Sequence, residues 1–175
     1  LVRQAAALGY QALALTDFHS FAGIVKAHQA AKEAGIQLIV GSAIPLFREI
    51  PQITTTPRDI SDTIEALPSS AHELLLRLHL LVYPVSRAAY GRLCQLLSLG
   101  KLRAPKGHCF LTLPDFDHNN QGLHAVVVIN NLKDPHLCSL LERLRRIFDC
   151  DRLSLALTQT YGPDNDTKIT QLHQL

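Results

Sequence analysis

The stretch GYQALALTDFHSFAGIVKAHQAAKEAGIQLIVGSA, Gly9 to Ala43, decides how the chain is read. Ala12 to Thr16 is a short apolar run that stops at Asp17, and the loop Asp17-Phe18-His19-Ser20-Phe21 follows it. The spacing then predicts a helix from near Ala22. It places Ile24, Ala27, His28 and Ala31 on one stripe, with Lys26, Lys32 and Glu33 largely off it. Gly35 falls where a helix commonly ends in a left-handed residue. A second apolar strand, Gln37 to Val40, is expected to stop at Gly41-Ser42-Ala43. Strand, loop, helix and strand in this order can close a parallel sheet through a right-handed crossover. In such sheets chemistry collects where the carboxyl ends of strands release their loops. Asp17, Phe18, His19, Ser42 and Ala43 are therefore the first candidates for a site.

Beyond this unit, Ile44 to Ser70 carries Pro45, Pro51, Pro57, Pro68 and the tract Thr54-Thr55-Thr56, which reads as an irregular insertion. Order returns over Ala71 to Tyr83, where Leu78, Leu80 and Val82 alternate with His79, Leu81 and Tyr83 in a strand period. Ser86 suits the cap of a helix that ends near Gly100 and turns Tyr90, Leu93, Cys94 and Leu97 inward. Lys101, Arg103 and Lys106 follow as a basic loop, read as a solvated connection in preference to a phosphate contact. Phe110 to Phe116 makes a short segment, and Leu123 to Ile129 an apolar strand. Pro135 to Ile147 is an amphipathic helix through Leu137, Leu140, Leu141, Leu144 and Ile147. Leu153, Leu155 and Leu157 mark a half-covered strand. Tyr161 to Asp166 is turn chemistry whose acids suit helix caps. Helical patterns also open the chain, Leu1 to Leu8, and close it, Thr170 to Leu175. The alternation predicts an α/β, barrel-like sheet in one domain.

Composition narrows the function classes. The 175 residues carry 17 Lys and Arg against 15 Asp and Glu. That near balance gives no reason to expect the whole surface to grip nucleic acid. Cys94, Cys109, Cys138 and Cys150 form no CxxC pair, which suits reduced thiols in a cytoplasmic protein better than a disulfide frame. No signal peptide is visible and no apolar run is long enough to span a bilayer, so no membrane partner is expected. The chain contains no methionine, which predicts a piece of a longer polypeptide, truncated at both ends.

Several stretches carry a resemblance: Ala7-Leu8-Gly9-Tyr10, Thr16-Asp17, Ser20, Ala22-Gly23, Lys26-Ala27-His28, Ala30-Ala31, Leu38 to Gly41, and again His79 to Lys101. They resemble the PHP (polymerase and histidinol phosphatase) domain of bacterial DNA polymerase III α subunits, of the error-prone, second-type branch. The resemblance implies a PHP-type distorted (β/α)7 barrel of which residues 1–175 are a fragment, with 44–70 as the insertion. It also implies a first strand with a His-x-His motif before this stretch and further strands after it. The parent would be a DNA-directed polymerase that uses Mg2+ and meets DNA through its other parts. This piece would pack against the polymerase body and contact replication or lesion-bypass proteins.

Active PHP domains are metal-dependent phosphoesterases whose ligands come from several strand ends, and clustered metals polarise phosphate and generate hydroxide. By resemblance, Asp17 matches the acid of a Thr-Asp-His motif, but Phe18 stands where the ligand histidine would follow. Ala43 stands where a Glu would follow. His79 matches a ligand histidine, and His19 follows Phe18 in the loop. Phenylalanine and alanine offer no lone pair, so the expected site is degenerate. Its vestigial metal donors would be Asp17, His19 and His79, with no catalytic residue and no cofactor in this piece. A residual cation there would be Zn2+ or Mn2+. The alternative is a metal-dependent phosphoesterase or 3′–5′ exonuclease with that non-standard ligand set. His28 reads as a buried, hydrogen-bonded core residue. His108, His118 and His124 fall in or beside loops without ligand spacing, and Ser20 and Ser42 lack a His–Asp partnership for nucleophilic catalysis. No Walker-type or dinucleotide glycine pattern occurs.

Overall fold

A computed structural model describes residues 1–52, 75–129, 134–149, 151–157 and 169–170. The opening unit folds in the order its sequence dictates. Helix α1 (Val2–Ala7) leads to strand β1 (Ala12–Phe18), helix α2 (Ile24–Ala34) and strand β2 (Gln37–Phe47). Gly35 closes α2 with φ 68, the left-handed conformation that a Cβ disfavours. β1 and β2 pair in parallel from Ala12 opposite Gln37 to Phe18 opposite Ala43.

β2 does not stop at Val40. It continues through Phe47, with Ile44, Leu46 and Phe47 buried, so the start of the expected insertion is core strand. Pro45 had signalled a loop because it lacks an N–H for the ladder. The strand absorbs it with a register shift between Pro45 and Phe47, a bulge that frees this stretch from regular pairing. Positions 53–74, which hold the rest of that insertion and the start of the following strand, lie outside the described residues. So do the Tyr161 to Asp166 turn and positions 171–175.

The chain then supplies β3 (Leu75–Pro84), α3 (Arg87–Leu102), β4 (Leu111–Thr112), a 3-10 turn (Leu113–Phe116), β5 (Leu123–Ile129), α4 (Leu137–Phe148) and β6 (Leu153–Leu157). The Ser86 hydroxyl caps α3 by accepting the Ala89 N–H at 3.1 Å. The described strands form a six-stranded sheet in the order β1-β2-β3-β5-β6, with β4 beside β2. β3 runs antiparallel to both β2 and β5, whereas β5 and β6 are parallel. The crossover unit had suggested parallel pairing, and β3 departs from it. β4 pairs with Leu46 and Phe47, beyond the point at which β1 ends opposite Ala43. It thus takes over the edge of β2 that β1 leaves.

Strand alternation splits the sheet into two unlike faces. Ile44, Leu80, Val82, Ala125 and Val127 point to one side, where α3 supplies Leu93 and Leu96 and α4 supplies Leu144 and Phe148. On the same side Leu13, Leu15 and Leu38 meet Ala27 and Ala31 of α2 and Val2 and Ala5 of α1. Helices α1 to α4 therefore cover one face. Phe18, Ile39, His79, Leu81, Tyr83 and Val126 point to the other, and none of the described helices covers it. Phe18 is 55% exposed and Ile39 40%. No described helix is long and apolar enough to cross a membrane.

Candidate functional site

β1 and β2 end side by side, with Asp17 opposite Ser42 and Phe18 opposite Ala43. Alternation sends these two pairs to opposite faces. On the helical side the Asp17 carboxylate accepts the Gly23 backbone N–H at 3.3 Å, where α2 begins. Ser42 is fully buried. Its hydroxyl donates to the Asp17 carbonyl at 3.0 Å and accepts the Ser20 N–H at 3.2 Å. Ser20 Oγ in turn accepts the Ala22 N–H at 3.0 Å. The two serines hold the loop to β2 and carry it into α2.

On the bare side Phe18 lies beside Ala43, and its ring centroid is 6.1 Å from that of His79. His79 comes from β3, where it pairs with Pro45. Burial lowers its pKa. Gly41 belongs to this face as well, because a Cβ there would meet the Tyr83 ring at 2.6 Å. The Val-Gly-Ser segment is thus shaped by a close approach of an aromatic ring.

His19 goes elsewhere. It takes φ 37, uncommon for a residue with a Cβ, and its N–H donates to the Ala43 carbonyl at 2.8 Å. Its imidazole lines a cavity of about 480 Å³ together with Phe18, Ser20, Lys101, Lys106 and His108. Burial first, then the charges of Lys101 and His108, lower the His19 pKa, while a backbone hydrogen bond acts the other way. The basic loop divides accordingly. Lys101 ends α3 and Lys106 reaches the cavity. Arg103 is held by Asp115 at 2.8 Å, and that carboxylate also accepts from the Thr112 N–H and hydroxyl.

The three donors selected by sequence therefore occupy three settings: Asp17 under the sheet, His79 on the bare face and His19 in the cavity rim. Among the described residues, no three His, Cys, Asp or Glu side chains form a group able to hold a metal ion. The residues at these strand ends do not fit a multi-metal centre, because a ring and a methyl group stand beside His79 on that face. One histidine reading changes. His28 is exposed, since one residue's turn of about 100° from Ala27 carries it off the packed face. His124 lies in strand β5, opposite Tyr83, within the strand expected over Leu123 to Ile129. His108, which no spacing rule selects, is buried beside His19. Only tertiary proximity joins them.

Comparison with known proteins decides the family. A family model described as the PHP domain matches residues 1–127. The chain belongs to the PHP domain family. Among its relatives, error-prone DNA polymerase 1 of Agrobacterium fabrum is 36% identical over 173 residues, 98% of this chain and 13% of that protein. The error-prone DNA polymerase of Rhodopirellula baltica is 34% identical over 185 residues, covering all of this chain and 14% of its own length. That of Ralstonia nicotianae is 37% identical over 90% of this chain and 13% of its own. This PHP chain thus spans about one-seventh of these relatives. A crystal structure from Bifidobacterium adolescentis, provisionally assigned as a metal-dependent phosphoesterase, superposes with a TM-score of 0.55 at 12% identity. It covers 99% of this chain and 76% of that one. The fold is the α/β arrangement of a PHP domain.

Proposed function

We propose that residues 1–175 are part of the PHP domain of a bacterial error-prone DNA polymerase of the polymerase III α type, with no working metal centre. The observation that carries this reading is the pairing of Phe18 with Ala43 at the strand ends, with the Phe18 ring set against His79. Neither phenylalanine nor alanine can ligate a cation. The error-prone polymerases that match the chain over 90–100% of its length support the parent's identity. The parent would extend a primer with Mg2+ held by carboxylates elsewhere in its polypeptide. This domain would serve as a scaffold against the polymerase body and a contact surface for replication or lesion-bypass proteins. Its own chain holds the loop and sheet in shape: Asp17 anchors α2, Ser42 fixes the loop, and half-buried His79 packs its ring against Phe18.

The experiment uses the full polypeptide on a 3′-labelled primer–template. Primer extension without any 3′ shortening is expected, and replacing Asp17 or His79 by Ala is expected to leave that pattern unchanged. Shortening that stops on chelation and is abolished by those substitutions would instead establish the metal-dependent exonuclease.

A further inference from the structure

No further inference is drawn: the strongest candidate, the cavity of about 530 Å³ on the sheet face that none of the described helices covers, lined by Ala14, Ile39, Tyr83, His124, Val126 and Ser154, lies on an unpartnered, mostly apolar face, and nothing in the structure shows what covers it.

Discussion

Ser42 shows how one side chain holds the strand-end loop in shape. Its buried hydroxyl bridges the Asp17 carbonyl and the Ser20 N–H, so Ser42→Ala leaves both backbone groups without that partner. The expected loss is about 1–3 kcal/mol in denaturant unfolding. His79 gives a pH signature. Burial lowers its pKa from 6.5, and burial together with Lys101 and His108 does the same for His19. The unfolded chain therefore binds protons more readily than the folded one just below pH 6.5. Stability is complete above that value and falls as pH drops through it towards the folded pKa values. Unfolding midpoints measured between roughly pH 8 and pH 5 should show this decline, and His79→Gln should flatten it. At this scale the sequence disclosed residue types but not directions. Asp17, His19 and His79 were legible as candidates, yet alternation and the turn at φ 37 part them. His108 was invisible as a neighbour of His19 because 89 positions separate them and no local pattern records a meeting of that kind.

Elements were read best where periodicity was unbroken. Leu123 to Ile129 forms the expected strand, Gly35 closes α2, and the Ser86 cap starts α3. β2 was cut short because Pro45 is a local signal of a loop, while the burial that overrides it comes from β3 and β4, which are remote in sequence. Helix α3 contains a second instance. Gly100 is buried in its last turns, and a Cβ there would collide with Cys109 Sγ and Leu111. Gly100→Ala should therefore destabilise the protein by about 1–3 kcal/mol despite alanine's better helix propensity, through overpacking. A thermal melt decides, since propensity alone predicts the opposite sign. The packing of β4 on α3 also silences a thiol. Burial pushes Cys109 up to about 11, with Lys101 opposing and Asp115 assisting. At neutral pH its alkylation should run about two orders of magnitude slower than that of exposed Cys138, measured by timed iodoacetamide labelling.

At the scale of the whole molecule, the α/β class and the PHP-type sheet were legible, since the crossover unit and the apolar strands carry their own punctuation. The antiparallel course of β3 was not, because nothing local to Leu75–Pro84 states its direction. Among the described residues the result is a sheet with helices on one face and none on the second, where Phe18, Ala43 and His79 meet. Active relatives of this fold would place cation ligands there; this chain places an aromatic ring and a methyl group beside its histidine. The direct measurement is the zinc, manganese and iron content of the full polypeptide, purified without chelator, for the parent and for the His79→Ala protein. The account predicts that the two contain the same amount of each metal. A stoichiometric cation in the parent that His79→Ala releases would contradict it.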